Sequence, residues 1–245
     1  MIRIRNSNGL RARNKMICFP YAGGCASFYG KWKEKMESIE ICPVQLPGRE
    51  EAFRDEKIYD MDTASDQIVE TLKDYVDQDT VFFGHSMGAF VMYETMLILQ
   101  KLLNRKAYLA ISSGQVSPFG YGGVGFDASS EEAVINYIKD MGGTDDILIS
   151  NAEARSFFIP IIQNDLMAAS SYSATRMTQS DKCQSIAVVY GEDDEDITDD
   201  NIKDWTKIGE NFIGNHIFKG GHFYMNTFGD ELLRYIDKVS GKQSA

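Results

Sequence analysis

The sequence predicts an α/β protein, a mainly parallel sheet with helices on both faces. Short apolar runs of strand length alternate with segments of helical spacing along most of the 245 residues, the pattern of parallel strands joined by helical crossovers. The stretch Gly84-His85-Ser86-Met87-Gly88 falls where an apolar run gives way to a helical pattern, which reads as a tight strand-to-helix turn. Hydrophobic residues make up 43% and aromatics 11%, enough to build a sizeable core in one domain.

Taken in order, Met16–Phe19 and Ile39–Leu46 read as strands, and Asp62–Tyr75 as a helix with apolar positions at Ala64, Ile68, Leu72 and Tyr75. Val81–Phe83 is a short buried strand, Ala89–Leu103 a helix and Ala107–Ser112 a strand. Ile186–Tyr190 and Phe212–Phe218 supply two more strands with a helix around Asp200–Ile208 between them, and Glu231–Lys238 closes the chain as a helix. The reading is one domain over 1–245. From Gln115 to about Lys182 the rhythm breaks: a glycine-rich FGYGGVG is followed by helical stretches at Ser130–Met141, which opens with a Ser-Ser-Glu-Glu start signal, and at Ala152–Ala169. An insertion of about 115–182 reads as a helical cap over the carboxyl ends of the strands, where open α/β sheets bind ligands.

Twenty-five Lys plus Arg against 36 Asp plus Glu give a net charge of −11, which argues against nucleic acid or an anionic membrane as the main partner. No stretch approaches the roughly 20 apolar residues of a membrane span, and MIRIRNSNGLRARNK lacks the apolar run and cleavage site of a signal peptide. Cys18, Cys25, Cys42 and Cys183 show no paired metal spacing. A reduced, cytoplasmic protein without disulfides or bound metal is expected.

A Gly-x-Ser-x-Gly turn holds its serine exposed and strained, the posture of a nucleophile, so Ser86 needs a base. The histidines are His85, His216 and His222. His85 adjoins the serine on the turn and points away from it; His216 alternates within a predicted strand. His222 follows that strand in Lys219-Gly220-Gly221-His222, on a loop at the carboxyl end, and is the preferred base. An orienting carboxylate should fall between nucleophile and base in chain order. After Ile186–Tyr190 comes Gly191-Glu192-Asp193-Asp194-Glu195-Asp196; Asp194 is chosen, with Asp193 as the fallback. Oxyanion donors are expected from the Met87 N–H, next after the nucleophile, and from Ala22 in Pro20-Tyr21-Ala22-Gly23-Gly24 after the first core strand. That loop carries neither a Walker lysine nor G-x-G-x-x-G, which disfavours a phosphate cradle.

The motifs CFPYAGG, QLPGRE, FFGHSMGA, SGQVSP, GGT at 142–144, IPIIQNDLMAASSY, GEDD and GGHF follow one another across most of the chain. In this order the sequence resembles the type II thioesterases, free-standing α/β-hydrolases that accompany non-ribosomal peptide and polyketide synthases. The resemblance implies an α/β-hydrolase fold with a lid at about 115–182, Ser86 as nucleophile, Asp194 as acid, His222 as base, and Ala22 and Met87 as the oxyanion hole. It implies hydrolysis of acyl, aminoacyl or peptidyl thioesters from the phosphopantetheine arm of carrier proteins. No separate cofactor is implied, because phosphopantetheine arrives with the substrate. Glu195 stands where relatives often carry proline, and Ile162-Gln163-Asn164-Asp165 where many have Leu-Arg-Ala-Asp. A carboxylesterase or acyltransferase of the same fold is the alternative, and a monomer is expected. Met141, Phe157, Phe158, Met167 and Arg176 lie in or near the lid as candidates to face a carrier, with both phenylalanines and Met167 read first as lid core.

Overall fold

The computed structural model describes residues 3–4, 14–119, 121–143, 146–174 and 181–241. Among them, strands β1 (Arg3–Ile4), β2 (Asn14–Phe19), β3 (Ile39–Gln45), β4 (Val81–His85), β5 (Leu109–Ser113), β6 (Cys183–Gly191) and β7 (Gly209–Phe218) form one sheet in the order β1-β3-β2-β4-β5-β6-β7. β1 runs antiparallel to β3, and every other neighbouring pair is parallel. Parallel neighbours require crossovers, and the helices that make them cover both faces.

Alternation along the strands divides the core. Ile17, Phe19 and Phe82 face the side packed by α2 (Met61–Leu72), α3 (Met87–Leu103) and Trp205. Met16, Cys18, Val81 and Phe83 face the side packed by α1 (Gly30–Lys35) and α8 (Met225–Ser240). β4 lies at the centre, buried throughout, and fully burying a side chain such as Phe83 contributes about 1.5–3 kcal/mol. Asp60 starts α2 by accepting the Thr63 N–H at 2.7 Å.

Between β5 and β6 there is no strand among the described residues. The chain carries α4 (Glu131–Met141), α5 (Asp146–Ser150) and α6 (Ala152–Ser170) instead. Ser130 accepts the Ala133 N–H at the start of α4, and Asn151 the Ala154 N–H at 2.9 Å at the start of α6. These helices share a small core of Val134, Ile138, Ile149, Ile159 and Leu166. The far end of α6 joins the main core through Ala168, Ala169 and Tyr172, whose hydroxyl donates to the buried Glu94 carboxylate at 2.8 Å.

Several boundaries differ from the sequence reading. The fifth strand starts at Leu109, not Ala107, and the segment around 200–208 divides into a single helical turn α7 (Asp199–Ile202) and a 3-10 stretch, Lys203–Lys207. The last helix begins at Met225, six residues before the expected start, and passes Phe228 with non-helical φ −106°, ψ 24°; the irregularity there, beside Gly229, hides the periodicity of the first turn. β1, α1 and α5 have no counterpart in the expected elements. Phe157 and Met167, read as lid core, are 45% and 48% exposed, and Phe157 stacks on Phe53 with centroids 4.9 Å apart. Arg176 lies outside the described residues. None of the helices is long and apolar enough to cross a membrane among the described residues.

Candidate active site

Ser86 has φ 52° and ψ −129°, a region that costs a non-glycine residue on the order of 1–3 kcal/mol and persists only where surroundings impose it. The surroundings here are two glycines. A Cβ on Gly84 would lie 2.4 Å from the Gly88 carbonyl oxygen, and one on Gly88 would lie 2.2 Å from that of Phe19. The serine N–H is held by the Ser113 carbonyl at 2.8 Å. Ser86 occupies the N-cap position of α3, yet its hydroxyl makes no capping hydrogen bond and is free to face the cavity that it lines.

The turns after β6 and β7 are joined to each other. Glu192 N–H donates to Phe218 O at 2.8 Å and Asp193 N–H to Gly220 O at 3.0 Å. A Cβ on Gly191 would sit 2.2 Å from the Gly220 oxygen, so only glycine permits the approach. Out of this junction Asp194 and His222 meet, with Nδ1 to Oδ2 at 2.9 Å and side-chain exposures of 6% for His222 and 0% for Asp194. Asp193 is exposed, as are Glu192 and Glu195. His216 is exposed on β7, stacked on Tyr235 at 4.5 Å.

His85 is fully buried, with Nδ1 3.0 Å from Ser113 Oγ, which lies 2.8 Å from the Tyr224 hydroxyl. Burial foremost, and then the His222 ring at 4.9 Å, push its pKa well below the usual histidine value. It stands beside the His222 ring as a neutral imidazole.

Residues 21–24 form a turn in which the Gly24 N–H donates to Tyr21 O at 2.8 Å and Gly23 has φ +75°. Ala22 and Gly23 line the same cavity as Ser86 and His222, and Met87 opens α3 directly after the serine, where unpaired N–H groups favour negative charge. Two residues that the sequence reading did not single out hold this loop. Arg49, inside the QLPGRE motif, forms a two-pronged pair with Asp165 of α6, Nη1 to Oδ2 at 2.7 Å and Nη2 to Oδ1 at 2.8 Å. Burial pulls the guanidinium pKa down, but the Asp165 charge and hydrogen bonds outweigh it and leave the value above normal.

Two cavities meet at Ser86 and His222. One, of about 330 Å³, lies beneath α4 and α6 and is lined by Ile138, Met141, Phe158, Ile162, Leu166 and Phe223 among others. The other, of about 480 Å³, runs along the glycine-rich segment after β5 and is polar, with Gln115, Ser117, Asn201 and the carboxylates Asp196, Asp200 and Asp204 on its wall. Asp196 reaches solvent, but the protein crowded around its carboxyl, together with the Asp194 charge, raises its pKa.

A family model described as "Thioesterase domain" matches residues 14–240. The gramicidin S biosynthesis protein GrsT of Aneurinibacillus migulanus is 24% identical over 229 residues, 93% of this chain and 89% of that protein. The type II thioesterase BorB from the borrelidin biosynthetic cluster superposes with a TM-score of 0.85 at 25% identity, covering 98% of this chain and 97% of that one. RedJ, a thioesterase from the prodiginine pathway in Streptomyces coelicolor, gives 0.84 at 27% identity over 93% of this chain and 86% of its own. The sheet order, the serine turn after β4 and the match over nearly the whole length lead to one conclusion: the chain is an α/β-hydrolase and belongs to the thioesterase domain family.

Proposed function

We propose that the protein is a type II thioesterase that hydrolyses acyl, aminoacyl or peptidyl thioesters from the phosphopantetheine arm of carrier proteins, with Ser86, His222 and Asp194 as a triad. The observation that carries this is the buried Asp194–His222 pair opening onto the same cavities as the strained Ser86. His222 takes the Ser86 proton as the serine oxygen attacks the thioester carbonyl, and Asp194 holds the ring and stabilises the imidazolium. The N–H groups of Ala22 and Met87 receive the tetrahedral oxyanion. Its collapse expels the thiol, which takes the proton from His222. Water then gives a proton to the same histidine as it attacks the serine ester, and collapse of this second tetrahedral intermediate frees the acid while His222 returns the proton to Ser86 Oγ. Side chains, backbone and water account for every step, and residues 115–182 act as the lid.

Support for a carrier-borne substrate comes from the pathway thioesterases that the chain is similar to. At −11 the protein gains no long-range attraction to an acidic carrier, so docking relies on local contacts around the lid. The test is to compare one acyl group on a carrier protein, on free pantetheine and as a p-nitrophenyl ester, and to identify the product. Higher kcat/KM on the carrier, little weakened by salt, with free acid as product, is expected. Preference for the oxoester would make the protein a carboxylesterase, transfer to a non-water acceptor an acyltransferase, and equal rates on carrier and pantetheine would remove the docking claim.

A further inference from the structure

The peptide groups between Tyr21 and Cys25 flank the expected oxyanion donor Ala22, and three separate hydrogen bonds hold them. The Tyr21–Ala22 peptide is fixed through Tyr21 O, which accepts the Gly24 N–H at 2.8 Å. The Ala22–Gly23 peptide is fixed through the Gly23 N–H, which donates to Asp165 Oδ2 at 2.8 Å. The carbonyl of Gly24 accepts from Arg49 Nη1 at 3.1 Å. Arg49 is itself anchored by its fork on Asp165 and by Nε donating to Pro47 O at 3.3 Å. Both side chains are buried, at 4% and 6% exposure.

From this geometry we infer that Arg49 and Asp165 are positioning residues for the oxyanion hole, through which helix α6 sets the direction of the Ala22 N–H. The inference rests on the reading of Ser86 as nucleophile and Ala22 as donor. Its physical basis is a division of labour. An apolar pair of similar volume would hold a helix against a loop as well as a buried ion pair does, and frequently better. Only an acceptor at position 165, however, can satisfy the Gly23 N–H, and only a donor at 49 can satisfy the Gly24 carbonyl. Oxyanion stabilisation depends on donors already aimed at the place where charge develops, so a peptide free to rotate at Gly23 loses that aim at its neighbour. Packing reinforces the hold: a Cβ on Gly23 would lie 2.4 Å from Ile162 Cγ1, one turn before Asp165 on α6.

The test uses the full chain in three forms: wild type, Asp165→Ala, which removes the acceptor and leaves room for water beside Arg49, and the double variant Arg49→Met/Asp165→Leu, which removes the ion pair without leaving a lone buried charge. Four quantities are read: kcat and KM on an acyl-pantetheine thioester, the Ki of a trifluoromethyl ketone analogue whose serine adduct carries a tetrahedral oxyanion, and Tm. Both variants should lose about 10–100-fold in kcat, less than the 10²–10³ that follows loss of a whole donor, with KM within about twofold. Ki for the ketone should rise by the same factor as kcat/KM falls. A folded double variant with wild-type kcat overturns the inference, as does a loss of kcat that leaves the ketone Ki unchanged. If the double variant does not fold, Asp165→Ala decides by the same two criteria. Failure of the underlying reading is distinct, because Ser86→Ala in the otherwise native chain would then keep its turnover.

Discussion

His222 Nδ1 and Asp194 Oδ2 lie 2.9 Å apart, out of water, while Asp193, one residue away, points into solvent. Asp194→Asn should therefore lower kcat on an acyl-thioester by about 10²–10⁴-fold, because an amide favours the wrong tautomer of the base. Asp193→Asn should stay within about twofold. Parallel assays of the two variants decide between them, and a larger loss at Asp193 would reassign the acid.

Ser86→Ala should abolish turnover, and His222→Ala should be nearly as damaging, since in the proposed triad nucleophile and base act as a unit. A fluorophosphonate should label the native chain at Ser86, as read by peptide mass, and should leave the alanine variant unmodified. Replacing the exposed His216 should be mild. Retention of near-full activity by Ser86→Ala at unchanged Tm would remove the serine from the chemistry.

Gly88→Ala should damage the fold. The added methyl has 2.2 Å to the Phe19 carbonyl oxygen and 2.7 Å to that of Pro20, and backbone cannot step aside as a flexible side chain can. A loss of about 3 kcal/mol or more in urea denaturation is expected, whereas Gly122→Ala, with open space around its Cβ position, should change stability by less than about 1 kcal/mol.

Stability should also depend on pH through His85. Its folded-state pKa is depressed, so as pH falls below about 6.5 the unfolded chain takes up a proton that the folded one refuses. The contribution is intact above that pH and is lost progressively on the way down to the folded pKa. Tm measured from pH 8 to pH 5 should fall, and His85→Gln should flatten that slope. An unchanged slope in the variant would show that the ring is not held neutral.

The candidate site was legible to the extent that its parts announce themselves locally. Ser86 stands between two glycines at a strand end, and His222 sits on a glycine turn after another strand. Asp194 was separable from Asp193 only by the direction of each side chain, which depends on how Gly191 meets Gly220 across the sheet. Arg49 and Asp165 were not singled out because their pairing spans 116 residues, and nothing local in either segment states the partner. β1 escaped notice for the same reason: two residues acquire strand form only by pairing with Val44 and Gln45. The helices with amphipathic spacing were found, while α5, with five residues, is too short to show a period.

The junction of two cavities at Ser86 has a kinetic consequence. If the acyl chain occupies the apolar chamber, the departing thiol vacates the polar one, and the ester left on the serine stays open to attack from that side while the chain remains seated. The first product then leaves before the second substrate arrives, so initial rates should follow a ping-pong pattern. Hydroxylamine, small enough for the vacated chamber, should divert part of the flux to hydroxamate without displacing the acyl group. Such partitioning would appear as a burst of released thiol followed by a slower steady state wherever deacylation limits turnover.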